Sequence, residues 1–226
     1  MFRRALILAL ALPLLLRADD PPAKTQVEQP VGDPIEYFGA EAKATHVVFI
    51  IDRSMSMFFN PKDEPEKSKW LIMRDGTLKT IDSLKETTSF SLFFFARDTR
   101  EWKPGFSKAT QANKAAAKKY VEKMSTGGPT FLWMAIKRGF KYFSDLPADE
   151  QTHAKPAIFI LTDGKVSDEA EKTIREGIKP LLAKWKPTLN VVSFEHDSKF
   201  LEALAKENGG TLICPLDQGK DPAKKK

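Results

Sequence analysis

The sequence predicts an α/β fold, a three-layer α/β/α sandwich in which helices cover both faces of a mostly parallel central sheet. Two observations predict it. Uninterrupted apolar runs, such as Val47 to Ile51, indicate strands that are buried on both faces. Segments with apolar residues at helical spacing alternate with these runs, and such alternation indicates a parallel sheet. One short antiparallel strand is expected at an edge.

The strands are assigned from apolar runs bounded by polar or glycine residues. The run Phe93-Phe94-Phe95 forms the centre of the second strand. Residues 99–102 follow closely and are expected to form a short hairpin with it, which supplies the antiparallel edge strand. Asp163-Gly164 stops the fourth strand, and Gly209-Gly210 precedes the last. The predicted strands are 45–51, 90–96, 99–102, 157–161, 189–194 and 211–214.

The helices are assigned from apolar residues three or four positions apart. In the first, Trp70 and Met73, and then Leu78, Ile81 and Leu84, recur at this spacing. Pro187 lies just beyond the fourth helix, and Ser198 is the expected N-cap of the fifth. The predicted helices are 70–84, 114–124, 131–143, 168–185 and 198–206.

The two ends of the chain differ in composition from this core. Residues 1–18 have a basic start, about a dozen apolar residues and a small-residue cleavage point, which predicts a signal peptide. The apolar run is too short to span a bilayer comfortably, since spanning takes about 20 residues; an uncleaved anchor and a buried helix are the alternatives. We predict a proline-rich polar linker at 19–43, one domain at 44–216 and a basic tail at 217–226.

Charge and cysteine content exclude some classes of protein. The formal net charge is +6, but it falls to +3 when Arg3, Arg4 and Arg17 of the signal segment are left out. This excess is too small to indicate nucleic-acid binding. Cys214 is the only cysteine, so no intramolecular disulfide is possible, and it is expected to be a small buried apolar residue.

Three polar segments carry the candidate chemistry. They are Asp52-x-Ser54-x-Ser56, the run 126–130 that ends in Thr130, and the Asp163 segment after the fourth strand. Each lies where a strand or loop enters a helix, and open α/β sheets bind ligands at the carboxyl ends of their strands. Oxygen ligands without nitrogen or sulfur suit a hard cation such as Mg²⁺.

Each segment also has a plainer interpretation. Asp52 and Ser54 could form a capped turn, because both residue types favour helix starts and loop entries. Asp163 with the glycine after it could be a simple turn. Thr130 could be the N-cap of the helix predicted to begin at Phe131. The occurrence of all three segments in this order favours the metal interpretation.

The three segments together resemble those of the von Willebrand factor type A (vWA) domain family with its metal-ion-dependent adhesion site. The resemblance covers about residues 44–215 and implies a Rossmann-like fold. It also implies the ligand set Asp52, Ser54, Ser56, Thr130 and Asp163, with the hydroxyls as ligands and the aspartates binding directly or through water. The family often has glycine at the positions of Met55 and Pro129, neither of which supplies a side-chain ligand.

The resemblance implies a binding function. The expected cofactor is Mg²⁺, with Mn²⁺ or Ca²⁺ as alternatives, and the expected partner is a protein whose carboxylate completes the coordination shell. With the signal peptide, it predicts an exported protein, periplasmic or secreted. A structural metal without a partner is one alternative. A metal-assisted hydrolase that uses Asp52 is another, but hydrolysis needs a general base near the ion, and His46, His153 and His196 are expected at strand ends or surfaces.

Four apolar residues follow the first polar segment. Met55, Met57, Phe58 and Phe59 could form an apolar rim around the site for a partner, or they could pack beneath the first helix. The sequence leaves both possibilities open.

Overall fold

The structure, a computed structural model, describes residues 31–60, 68–163, 166–194 and 198–217. In this part of the chain the strands are β1 (Asp33–Tyr37), β2 (Ala40–Ala44), β3 (His46–Asp52), β4 (Ser89–Phe95), β5 (Thr99–Glu101), β6 (Ser107–Lys108), β7 (Pro156–Thr162), β8 (Thr188–Ser193) and β9 (Leu212–Ile213). The helices are α1 (Lys69–Ser83), α2 (Gln111–Lys123), α3 (Leu132–Ser144), α4 (Ala148–His153), α5 (Asp168–Trp185) and α6 (Lys199–Lys206).

The central sheet has the order β5-β4-β3-β7-β8-β9. All neighbours from β4 to β9 in this order are parallel, which confirms the predicted architecture. The antiparallel edge consists of two short strands, β5 and β6, that both pair with β4. The chain runs from β3 to β4 on one side and later returns to β7 on the other. The topological switch point therefore lies at β3, whose two neighbours, β4 and β7, both run parallel to it.

Strand β3 contributes to two separate hydrophobic clusters. Val47, Phe49 and Ile51 join the cluster that includes α1 and α2, whereas Val48 and Ile50 join the cluster that includes α3, α5 and α6. Successive strand residues point to opposite faces, and both faces are covered, so an uninterrupted apolar run is required. The same alternation explains the fully buried aromatic run of β4, which confirms its predicted place in the core.

The predicted helices are present, with small differences at their ends. The Ser198 side chain accepts a hydrogen bond from the Leu201 amide at 3.3 Å, which confirms it as the N-cap of α6. Helix α2 begins earlier than predicted because Thr110 caps it, accepting from the Asn113 amide. Helix α4 was not predicted because it buries none of its residues and so has no apolar stripe to reveal it.

The prediction of a linker through residue 43 is wrong for residues 33–43. They form the hairpin β1–β2, which closes through a two-residue turn. Both turn residues, Phe38 (φ 52°) and Gly39 (φ 79°), have the positive φ that such turns require. Every second strand residue is buried, and the buried Tyr37 hydroxyl lies 2.7 Å from that of Thr77 on α1. The hairpin is therefore part of the core.

Several predictions lie outside the described residues, among them the signal peptide at 1–18, nearly all of the basic tail and His196. No helix in the described part of the chain is long and apolar enough to cross a membrane. Cys214 is buried, as predicted.

Candidate metal centre

Asp52 ends strand β3 and is fully buried. One oxygen, Oδ1, accepts from the Ser54 amide at 2.7 Å, and the other, Oδ2, accepts from the Thr162 hydroxyl at 2.7 Å. Thr162 ends the neighbouring strand β7, so the parallel register brings these two residues together. The carboxylate thus joins the ends of two central strands.

The pKa of Asp52 is raised to about 6, mainly by burial and in smaller part by the charge of Asp163. Hydrogen bonds from Ser54 and Thr162 act in the opposite direction because they stabilise the ionised carboxylate. The two carboxylates therefore repel each other, and both are buried from solvent. A cation between them would relieve this repulsion.

The two serines form a hydroxyl pair directly after Asp52. Their Oγ atoms lie 3.0 Å apart, within a tight turn that continues into the 3₁₀ segment Met55–Phe58. Ser54 is almost fully buried, and Ser56 is half-buried. Because the turn places alternate side chains on one side, the pair presents two neutral oxygens next to the carboxylate.

The second polar segment is fixed against the first by backbone hydrogen bonds. The Gly127 amide donates to the Arg53 carbonyl at 2.7 Å, and the Met55 amide donates to the Gly128 carbonyl at 3.0 Å. Gly128 has a φ of 89°, which favours glycine. Thr130 follows this anchored segment, and Phe131 in turn donates its amide to the Ala96 carbonyl at 3.1 Å.

Asp163 follows Thr162 at the same edge of the sheet and is also fully buried. Its Oδ2 accepts from the Lys69 ammonium at 3.3 Å. Its Oδ1 is buried and has no hydrogen-bond partner among the described residues. A buried carboxylate oxygen without a partner is costly, and a bound cation would satisfy it.

The donor set fits a hard divalent cation. It combines two buried carboxylates with a hydroxyl pair, and all of these donors are oxygen, the ligand type of Mg²⁺ and Ca²⁺. In the described part of the chain no three His, Cys, Asp or Glu side chains cluster in a way that could hold a metal. Any cation at this edge of the sheet would therefore depend on the hydroxyls as well as on Asp52 and Asp163.

Comparison with known proteins identifies the family of the chain. The sequence model of the "von Willebrand factor type A domain" matches residues 46–214. The chain belongs to the von Willebrand factor type A domain family. Inter-alpha-trypsin inhibitor heavy chain H1 of Mesocricetus auratus is 30% identical over 171 residues, which cover 73% of this chain and 18% of that protein. The chain thus corresponds to a small part of this relative.

Solved vWA structures share the fold. A von Willebrand factor type A protein from Catenulispora acidiphila has a TM-score of 0.63 at 22% identity, covering 80% of this chain and 42% of that one. Manganese-loaded TRAP protein of Plasmodium vivax has a TM-score of 0.54 at 18% identity, covering 72% of this chain and 62% of that one. At such identities the likeness concerns the fold alone.

The two departures from the usual vWA pattern are accommodated in this fold. Met55 is 55% exposed. Its amide donates a hydrogen bond to Gly128 in the second polar segment. Pro129 is exposed beside Gly128. Helix α3 begins at Leu132, and its N-cap position is held by Phe131 without a side-chain bond. Thr130 is therefore not the helix cap that the sequence left open.

Two further residues contact the segments of this candidate site, and sequence reasoning missed both. The Arg53 guanidinium is buried and donates to Asp98 at 2.5 Å, which holds the pKa of that carboxyl below its usual range. Lys69 starts α1 and reaches Asp163. In the sequence, Arg53 lies between the candidate ligands Asp52 and Ser54, and this position could have indicated a role at the site. Lys69 carried no such signal, because its contact spans 94 residues.

The apolar residues after the first loop divide into two groups. Met57 is fully buried and packs in the core beneath α1. Met55, Phe58 and Phe59 are 55–63% exposed, and Phe131, next to Thr130, is 48% exposed. We call these four exposed residues the apolar rim. Packing beneath the first helix is thus confirmed for Met57, whereas a rim that serves a partner stays a prediction for the exposed residues.

The described histidines lie away from the site. His46 begins β3, at the end of the strand opposite Asp52, where its Nε2 lies 3.3 Å from Glu150. His153 is exposed at the end of α4. These positions agree with the expected strand ends and surfaces.

Proposed function

We propose that this chain is an exported vWA domain that binds a divalent cation and, through it, an acidic group of a protein partner. The cation is Mg²⁺, with Mn²⁺ or Ca²⁺ as alternatives, and its ligands are Asp52, Ser54, Ser56, Thr130 and Asp163. The observation that carries the proposal is the buried Asp163 Oδ1, which lacks a partner among the described residues. It lies at the sheet edge that also holds the serine hydroxyl pair.

The ligand chemistry favours binding of an anion. Hydroxyl ligands are neutral, so an ion held partly by hydroxyls keeps more of its positive charge than one held by carboxylates alone. Mg²⁺ favours octahedral oxygen coordination and retains some water. A carboxylate from a partner could replace one such water, which gives the site its affinity for acidic side chains.

The apolar rim supports a protein as the partner. Exposed aromatic and methionine side chains are enriched in the cores of protein interfaces, and the four rim residues adjoin the first and second polar segments. The Phe58 and Phe59 rings contact each other edge to face, with centroids 6.1 Å apart. We infer a partner segment in which apolar residues flank an acidic side chain.

We propose no catalytic role for the site. Hydrolysis at a metal ion needs a general base beside the attacking water, and the described histidines do not supply one. His46 begins β3, at the end opposite Asp52, and His153 ends α4. The two buried carboxylates, Asp52 and Asp163, are assigned to the cation itself.

A titration of the metal tests the first half of the proposal. Isothermal calorimetry with MgCl₂ or MnCl₂ should show one site in the wild type. Ser54→Ala and Asp163→Asn should each weaken binding at least tenfold, whereas Asp145→Asn, which removes an exposed carboxylate on α3's C-terminal side, should bind as the wild type does. Equal affinity in all four proteins would exclude these ligands.

A peptide array tests the second half. Peptides that place aspartate between apolar residues are compared with copies in which asparagine replaces the aspartate, each in Mg²⁺ and in chelator. Binding should require both the aspartate and Mg²⁺, and Phe58→Ser should weaken it. Binding that survives chelator, or that ignores the asparagine exchange, would contradict a metal-bridged carboxylate.

Export is tested separately. When the full chain is expressed with its first 18 residues, mass spectrometry of the exported protein should find a new amino terminus at Asp19. Recovery of the intact chain from the membrane fraction would favour an uncleaved anchor instead.

A further inference from the structure

Lys69 brings a positive charge to a site that is suited to a metal ion. Its Nζ lies 3.3 Å from Asp163 Oδ2. The Asp163 side chain is only 1% exposed and that of Lys69 only 15%, so the ion pair is largely shielded from water. An ion pair in such surroundings is screened far less than one on the surface.

The helix that carries Lys69 gives no reason for a lysine at this position. Lys69 is the first residue of α1, and the partial positive charge of a helix N-terminus disfavours a cation there. The first turn of α1 contains no acidic side chain that would compensate. The contact that offsets this cost is the one to Asp163, on another part of the sheet edge.

We propose that Lys69 is a tethered cation that neutralises Asp163 when no metal is bound and competes with the divalent ion for that carboxylate. The metal-dependent half of this inference rests on the proposed function. Lys69 then sets the metal affinity of this vWA domain, because a divalent ion must displace the ammonium from Asp163 or bind beside it against charge repulsion.

Hydrogen bonds hold the backbone at the start of α1. The Lys69 amide donates to the Phe59 carbonyl at 3.1 Å, and the Ser68 hydroxyl caps the helix by accepting from the Leu71 amide at 3.3 Å. These two hydrogen bonds do not involve the Lys69 side chain. A lysine has a flexible four-carbon stem, so its ammonium can leave Asp163 while the helix stays in place.

Calorimetry with MnCl₂ or MgCl₂ alone tests the competition, after treatment of each protein with chelator. Lys69→Met should lower the dissociation constant at least tenfold, because it removes the competing charge. Lys69→Gln should do the same while keeping a hydrogen-bond donor near Asp163, which protects the test against misfolding of the first variant. Lys79→Met removes one exposed charge from the same helix and should stay within about twofold of the wild type.

Thermal melting in chelator tests the neutralising role without any metal. Lys69→Met should melt below the wild type there, because Asp163 becomes a buried carboxylate without a cation. Saturating Mg²⁺ should raise its melting temperature by more than it raises that of the wild type. Lys79→Met should melt as the wild type does under both conditions.

The outcomes separate this inference from the proposed function. If wild type and both Lys69 variants bind the metal equally, or the variants bind it more weakly, Lys69 is not a competitor while the metal site stands. If none of the proteins binds a divalent ion, the proposed function fails and the competition fails with it. Equal melting in chelator of wild type, Lys69→Met and Lys69→Gln overturns the neutralising role.

Discussion

At the scale of single residues, the two buried carboxylates are stabilised in different ways. Asp52 is held by neutral donors, the Ser54 amide and the Thr162 hydroxyl. Asp163 is held by a charge, the Lys69 ammonium, and keeps one oxygen without a partner in the described part of the chain. Burying a charge is costly unless it is paired or hydrogen-bonded. The part of the site that remains unsatisfied is therefore on Asp163.

Thr162→Val tests the support of Asp52. The substitution removes the hydroxyl that donates to Asp52 Oδ2 at 2.7 Å and leaves a buried carboxylate oxygen short of a donor. We expect the free energy of unfolding to fall by about 1–3 kcal/mol, measured by urea denaturation in chelator. Thr173→Val, at an exposed position on α5, is the control and should change it by less than about 0.5 kcal/mol.

His46 gives the fold a pH dependence that is separate from the metal site. Burial lowers the pKa of His46 from 6.5 and Lys108 lowers it further, while Glu150 acts in the opposite direction; the ring also contacts Phe106 edge to face. Because the folded pKa lies below the unfolded value, stability is fully present above about pH 6.5 and is lost as the pH falls through the folded pKa.

Removal of the titrating ring checks this pH dependence. His46→Gln should flatten the loss of stability below pH 6.5, which cannot exceed about 1.4 kcal/mol per pH unit for one proton. His153→Gln, at an exposed position, should leave the wild-type profile unchanged. Denaturation midpoints measured between pH 5 and 7 compare the three proteins, and an unchanged slope in His46→Gln would contradict the assignment.

At the scale of elements, local contacts decide where loops and hairpins lie. Backbone hydrogen bonds at Arg53 and Met55 fix the second polar segment against the first. The β1–β2 hairpin docks on α1, where the Thr80 hydroxyl donates to the Glu36 carbonyl at 3.1 Å. The Phe38 ring fills the space above Gly76, so that a Cβ at Gly76 would lie 2.1 Å from Phe38 Cζ.

Gly76→Ala is expected to destabilise the protein although alanine is the better helix former by about 1 kcal/mol. The new methyl group must displace the Phe38 ring and loosen the hairpin, at a net cost of about 1–3 kcal/mol. Phe38→Asn removes the ring and suits the positive φ of the turn. When Phe38 is already Asn, Gly76→Ala should therefore lower the free energy of unfolding by less than it does in the wild type. Additive costs in urea denaturation would argue against this contact.

At the scale of the whole molecule, the order of the strands creates the site. Strand β3 lies between β4 and β7, and the chain reverses its direction of progress across the sheet there. Open α/β sheets bind ligands in the crevice at such a switch point. Asp52 ends β3 and Asp163 follows β7, and the Arg53 amide donates to the Phe95 carbonyl at the end of β4.

Metal binding should stabilise the entire domain, because a ligand that binds only the folded state shifts the unfolding equilibrium. At a concentration a hundredfold above the dissociation constant, Mg²⁺ should add about 2.7 kcal/mol, or about 5–10 °C in melting temperature for a domain of this size. Differential scanning fluorimetry in Mg²⁺ and in chelator measures the shift. Asp163→Asn should reduce it, and a wild type that melts equally in both conditions would refute metal binding.

The sequence by itself determined the layer architecture and the placement of the polar segments along the chain. Runs such as Val47 to Ile51 require burial on both faces. The order of residues along the chain then shows which polar residues end each run. The hairpin at 33–43 was missed because Pro34 and the charged residues conceal an alternating pattern, in which Ile35 and Tyr37 are buried.

Only the tertiary structure decided the contacts between distant segments. The partnership of Lys69 with Asp163 and that of Thr162 with Asp52 depend on strand order, register and the direction of α1, which no local pattern specifies. Propensity and periodicity act over a few residues, whereas the charge balance of this site is set by side chains about a hundred positions apart. The sequence therefore indicates which oxygens are available, and the packed sheet determines which of them still lacks a partner.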